Sequence, residues 1–155
     1  MASLDPNQAV DVIVINQLLN LWAKELDDNN GIGVGPMVTE DVSYNVPGKS
    51  YQGRADVVKY YEARLAGLEA SPGGAPVHRH VMTNLCVDFT GPDTASLSFV
   101  MVYYTAASNL AGNSPADPAL VGDGGMIVRR EADGHWRIAR LDTDAVLVRA
   151  GGQVR

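Results

Sequence analysis

VHRHVMTNLCVDFTGPDTASLSFVMVYY, residues 77–104, is the stretch whose reading decides the fold. Apolar residues recur here at every second position, which is the period of a strand and not of a helix. Gly91-Pro92-Asp93 breaks the pattern with tight-turn chemistry. Two antiparallel strands are therefore expected, at about 79–89 and 95–105. In the first, strict alternation puts His80, Met82, Asn84, Cys86 and Asp88 on one face and Val81, Thr83, Leu85, Val87 and Phe89 on the other. In the second, Leu97, Phe99, Met101 and Tyr103 oppose Ser98, Val100, Val102 and Tyr104. Both faces are too apolar for a sheet with one side in water. One face should cover helices or a pocket, and the other should meet a second subunit.

Beyond this stretch, the same period predicts strands at about 125–131 and 135–148, joined through Asp133-Gly134. The polar segment AASNLAGNSPADPALV (106–121) reads as a long loop of the kind that serves as a lid. On the other side, Asp5-Pro6-Asn7-Gln8 is a helix start, with Asp as N-cap, Pro in the first turn and Gln at the reciprocal capping position. Val12, Ile15, Leu18, Leu19, Trp22 and Leu26 then form one apolar helical stripe, ended by Asn29-Asn30-Gly31. Val42–Val46 and Lys49–Gln52 suggest a hairpin about Pro47-Gly48. A second amphipathic helix carries Val57, Tyr61, Leu65 and Leu68 and closes at Ser71-Pro72-Gly73-Gly74. Helices followed by a run of antiparallel strands make an α+β pattern with the helices on one sheet face. Glycines 31, 33 and 35 look like a phosphate loop, but they follow a helix where a dinucleotide fingerprint must follow a strand.

A chain of 155 residues is one domain with room for a core or a buried pocket. Its 46% hydrophobic and 19% charged residues fit a globular protein. A net charge of −6 and scattered lysines and arginines argue against nucleic acid or an anionic membrane as partner. The single Cys86, the absence of a signal-peptide pattern at MASLDPNQAV and the lack of a bilayer-length apolar run point to a cytoplasmic setting.

Two of the three histidines, His78 and His80, head the first strand and share a face by alternation. A metal site would need further ligands of the right type, and neither an HExxH motif nor paired cysteines organise them, so no metal and no cofactor are expected. His78 and His80 also fit two polar residues at a strand start beside a turn, and what raises an acid–base reading is the company His80 keeps. His80 shares its face with Met82 and Asn84, looking toward the first helix. There Asp27 lies about 140° round from Trp22, at the edge of the apolar stripe. A carboxylate at that edge can fix the imidazole tautomer and raise its basicity.

The order Trp22-Ala23-Lys24-Glu25-Leu26-Asp27, Asp41-Val42-Ser43-Tyr44, His80 and Gly134-His135-Trp136-Arg137-Ile138 resembles the SnoaL-like and scytalone-dehydratase-like branch of the nuclear-transport-factor-2-like superfamily. The resemblance implies a cone-shaped, curved antiparallel sheet wrapped by N-terminal helices around an apolar pocket. It also implies that Asp27 supports His80 as base, that Tyr44 polarises a substrate carbonyl, and that Trp22 walls the pocket. Phe99 falls where the dehydratase has a second pocket histidine, and Asp123 is the nearest match to the acidic strand residue of polyketide cyclases. VPGKSYQGRADVVKYY (46–61) has the look of ketosteroid isomerases, with Asn45-Val46 near the place of their general-base Asp.

The expected function is a cofactor-independent, dehydratase-like lyase or isomerase for a small hydrophobic molecule. Its catalytic residues would be His80, Asp27 and Tyr44, and its substrate would lie among Trp22, Met82, Asn84, Phe99, Met101 and Asp123. The alternatives are a polyketide cyclase, a ketosteroid-isomerase-like enzyme, or a non-catalytic ligand-binding or dimerisation module of the same fold. The two-faced strands also predict a homodimer through the outer sheet face, where Val100, Val102 and Tyr104 lack a covering helix. Light scattering at micromolar concentration should give twice the 16.5 kDa chain mass. Val102→Asp should shift it to the monomer.

Overall fold

The computed structural model describes residues 5–70, 75–107 and 117–149. Helix α1 (Pro6–Asn29) starts where its capping chemistry places it: the Asp5 carboxylate accepts from the Gln8 backbone N–H at 2.9 Å, and the Gln8 side chain accepts from the Asp5 N–H at 3.2 Å. It ends with Asn30 and Gly31 in left-handed conformations. A Cβ on Gly31 would lie 2.3 Å from the Tyr61 ring, so glycine there serves both the turn and the packing. A short 3-10 segment (Ile32–Met37) leads into strand β1 (Val38–Val46), which turns at Gly48 into β2 (Lys49–Gln52). Helix α2 (Arg54–Glu69) follows, then β3 (Val77–Gly91), β4 (Thr94–Ala106), β5 (Leu120–Arg130) and β6 (Trp136–Val148). The proposed helix closure at 71–74 lies outside the described residues, as does 108–116, most of the expected lid loop.

The six strands form one sheet in the order β2-β1-β6-β5-β4-β3, with the helices packed on its inner face. Neighbours are antiparallel except β1 and β6, which run parallel. Strand β1 begins four residues earlier than the hairpin signal at Val42 indicated, and β5 begins at Leu120 and not near 125. The core lies between the stripe Ile15, Leu19, Trp22 and Leu26 of α1 and inner-face residues such as Val42, Val128, Ile138 and Leu141, all buried. Asp11 is buried beside them. It accepts from Trp136 Nε1 at 3.0 Å and from Arg130 at 2.6 Å, so this polar intrusion is fully paired. The sheet arginines Arg129, Arg137 and Arg140 pair with Asp41, Asp133 and Asp142.

One element departs from strict alternation and changes the reading of β3. Thr83 pairs with Val100 and Cys86 with Ser98, so Asn84 and Leu85 together face the single residue Phe99. This is a β-bulge, and Asn84 at its centre has φ +55°. Beyond it the faces exchange. Leu85, Val87 and Phe89, expected outside, pack against the core, while Cys86 and Asp88, expected inside, are exposed. Asn84 itself is exposed and leaves the pocket face to which alternation assigned it. The outer apolar face loses Leu85 and Val87. It keeps a lateral row of cross-strand partners, Val81, Val102, Val121 and Leu147.

The left-handed backbone at Asn84 generates a prediction. Asn84→Gly should leave stability within about 0.5 kcal/mol, because glycine adopts this conformation freely. Asn84→Val should lower it by roughly 1–3 kcal/mol, the strain of a β-branched residue at positive φ, as read by urea denaturation. Equal effects of the two substitutions would show that the bulge does not need this backbone state.

Candidate functional site

Between α1, α2 and the inner sheet face lies a cavity of about 340 Å³, large enough for a small ring-bearing molecule. Trp22 and Leu26 reach it from α1, Tyr60, Tyr61 and Leu68 from α2, and Met101 and Tyr103 from β4. His78 and His80, two residues apart on β3, both line it.

Asp27, one helical residue past Leu26, lies at the edge of the apolar stripe and turns to β3. Its carboxylate accepts the backbone N–H of His80 at 3.0 and 3.1 Å and lies 2.6 Å from the ring Nδ1. Both side chains are about nine-tenths buried. A carboxylate against Nδ1 holds the ring proton there and leaves Nε2 as the basic nitrogen.

Tyr44 is fully buried on β1. Its hydroxyl accepts from Trp22 Nε1 at 3.1 Å and shares a hydrogen bond with the Tyr61 hydroxyl at 2.5 Å. Three donor protons serve two hydrogen bonds, so this chain keeps one phenolic proton free for a ligand. Burial pushes both tyrosines well above the usual phenol range, so both stay protonated donors.

His78 is 2% exposed. Its Nδ1 lies 2.7 Å from the Tyr103 hydroxyl, and its Nε2 is buried without a hydrogen-bond partner. Burial first, then the positive charge of Arg64 and the nearby His80 and Arg79, hold it down at about 4 against the opposing pull of Asp27, so it is neutral at pH 7. The two histidines are thus electrostatically distinct. His80 has a carboxylate partner and His78 a phenol. The Tyr103 ring lies against both, with centroids 4.8 Å from His80 and 5.8 Å from His78.

Of the residues expected at the site, the fold brings Trp22, Tyr44, His80 and Met101 to the cavity, with Asp27 immediately behind His80. Four others are placed elsewhere. Met82 faces inward but packs against the core and does not line the cavity. Phe99 is core too: its ring fills the space a Gly124 side chain would occupy, with a Cβ there only 2.2 Å away. Asn84 is turned out by the bulge. Asp123 lies between the inward Gly122 and Gly124, is exposed on the outer face, and sits opposite Val100 and Asp144. Tyr61, Tyr103, Tyr60 and Arg64 were not singled out, although periodicity already placed Tyr61 and Tyr103 on the inner side. His78 shares the His80 face by the same rule. Among the described residues no group of three or more His, Cys, Asp or Glu is placed to hold a metal ion.

A model of the SnoaL-like domain matches residues 9–142 of the chain. No curated protein sequence matches it. Among solved structures, a candidate scytalone dehydratase from Novosphingobium aromaticivorans superposes with a TM-score of 0.75 at 21% identity, covering 96% of this chain and 91% of its own. An NTF2-like protein with a cystatin-like fold from the same organism gives 0.71 at 18% identity, with 94% and 88% covered. ActVI-ORFA from Streptomyces coelicolor gives 0.72 at 13% identity, with 87% and 97% covered. These likenesses establish the fold: a nuclear-transport-factor-2-like sheet, curved and unclosed, with N-terminal helices.

The buried, neutral His78 has a measurable consequence. Its folded pKa lies below the ordinary 6.5, so the unfolded chain binds the extra proton more readily. Stability from this group is therefore complete above about pH 6.5 and falls as pH drops toward 4, by on the order of 3 kcal/mol over that window. Urea denaturation from pH 7.5 to 4 should show a shallower decline for His78→Gln than for the wild type. Parallel curves would place His78 in a solvated setting.

Proposed function

The chain belongs to the SnoaL-like domain family, and from that premise we propose that it is a small lyase or isomerase. It would act by removing a proton next to a carbonyl. The observation that carries this reading is the Asp27–His80 pair, 2.6 Å apart at the wall of a cavity of about 340 Å³. Nε2 of His80 takes the proton from the carbon next to the carbonyl. Asp27 balances the imidazolium that forms and holds its orientation. The electron pair moves into the carbonyl oxygen. There the free phenolic proton of the Trp22–Tyr44–Tyr61 chain hydrogen-bonds the enolate, and one well-placed donor of this kind contributes about 3–4 kcal/mol. Collapse of the enolate then expels a β-hydroxyl, which leaves as water with the proton from His80. That outcome is dehydration. Return of the same proton to a different carbon would be isomerisation.

The rest of the setting is part of the same proposal. The substrate is small and largely apolar, in keeping with the aromatic and aliphatic lining. Two copies pair through the row Val81, Val102, Val121 and Leu147 on the outer face. A cytoplasmic location is supported by the single free Cys86, and no helix among the described residues is long and apolar enough to cross a membrane.

A screen of β-hydroxy ketones followed by ultraviolet detection of the conjugated enone tests the reaction. His80→Ala should lower turnover by about 10²–10⁴-fold with the fold intact. Asp27→Asn should lower kcat with a smaller change in KM and shift the pH–rate profile. Tight ligand binding with no turnover in the wild type would favour the binding-module alternative.

A further inference from the structure

The arginines of this acidic chain divide into two sets. Arg54, Arg129, Arg130, Arg137 and Arg140 each meet a carboxylate, and Arg79 donates to the His78 carbonyl at 2.6 Å. Among the described residues Arg64 and Arg149 alone have neither an ion pair nor a side-chain hydrogen bond, and both line the cavity. Arg64 is half-buried on α2, one turn past Tyr60; it also borders an outer groove that holds Asp56, but forms no ion pair with it. Arg149 is exposed, at the end of β6.

The carboxylates nearby form no ion pair with Arg64. Asp27 is held by His80. Asp144, the acidic residue of the lining, sits across from the outward Asp123, and its carbonyl is what crowds the inner side of Gly122, at 2.5 Å from a Cβ built there. Asp144 is exposed, and no ion pair joins it to Arg64. Arg64 is also felt electrostatically by His78, Tyr44, Tyr60, Tyr61 and Tyr103, groups from four separate elements around the cavity. A guanidinium in an apolar, aromatic pocket is costly to leave unpaired, and its planar fork matches a carboxylate.

We propose that the ligand of this cavity has an apolar ring-bearing body and one carboxylate, which pairs with Arg64, while Arg149 draws the anion in from the rim. The inference deepens the functional reading by naming the substrate class, and it rests on that reading only in taking the cavity as the ligand site. The anion also orients the molecule. With its carboxylate at Arg64 on α2, the remaining body extends across the cavity toward the wall formed by α1 and β3, where His80 lies.

Binding, not turnover, tests it, so that failure here and failure of the proton-abstraction reading are separate results. The probes are 2-naphthoate and 2-naphthamide, alike in shape and different in charge, titrated by calorimetry at low ionic strength. The carboxylate should bind about 10–100-fold tighter than the amide, the ratio expected of a charge-assisted pair. Arg64→Gln should remove most of that preference and leave amide binding unchanged, Arg64→Lys should retain more of it, and Arg149→Gln should weaken naphthoate by a smaller factor. His80→Ala should leave the preference in place even if it abolishes turnover. Equal binding of the two probes, no binding of either at millimolar concentration, or an undiminished preference in a folded Arg64→Gln variant would overturn the proposal.

Discussion

The carboxylate of Asp27 is the group on which the arrangement of this molecule depends. β3 is an edge strand, and its outward N–H at His80 has no strand partner. Edge groups of that kind invite pairing with other chains unless something covers them. Asp27 covers this one from α1, and the same carboxylate reaches the imidazole of the same residue. A single side chain thus closes a sheet edge, fixes the last turns of α1 against β3 and sets the tautomer of a cavity histidine. The geometry is rigid because backbone and ring are held together: rotation of the His80 ring away from Asp27 would leave both partners buried and half-satisfied.

The bulge at Asn84 divides β3 into two working halves. Before it, His78 and His80 face the cavity; after it, Leu85, Val87 and Phe89 face the core. Further register shifts in β6, near Ala139 and Val146, bend the opposite side of the sheet. Bulges increase local twist and coil, which lets a sheet wrap helices at one end while standing away from them at the other. The inner glycines of β5 serve the packed end: Gly124 admits the Phe99 ring, so β4 and β5 close tightly beneath the cavity floor.

Much of this was legible in the sequence, and the limits have physical causes. The Asp5–Gln8 box, the stripe from Ile15 to Leu26 and the Gly91–Asp93 turn are local signals, and each produced the element it indicates. The Asp27–His80 pairing could be read because helical angle and strand alternation both place those residues at the same boundary. Asn84 could not be read, since one inserted residue leaves composition and hydropathy unchanged while reversing every face beyond it. That reversal misplaced Leu85, Val87, Cys86 and Asp88. Phe99 and Met82 were assigned the correct face, but depth along a face is a tertiary property that periodicity does not carry. Asp123 was assigned from a family likeness; its outward orientation follows from the burial of Gly122 and Gly124 on the inner side.

The cavity's polar groups have one further property in common. Each is anchored by a neighbouring side chain: His80 by Asp27, His78 by Tyr103, and the Tyr44–Tyr61 pair by Trp22. Such anchoring removes rotamer freedom before a ligand arrives, so little ordering remains to oppose binding. It also keeps the roles apart. Burial and the charge of Arg64 disfavour a proton on His78, whereas His80 lies against a carboxylate. Two histidines of identical chemistry, two residues apart on one strand, therefore sit in different surroundings. Neighbouring side chains, and not their position on the strand, make the two rings electrostatically different.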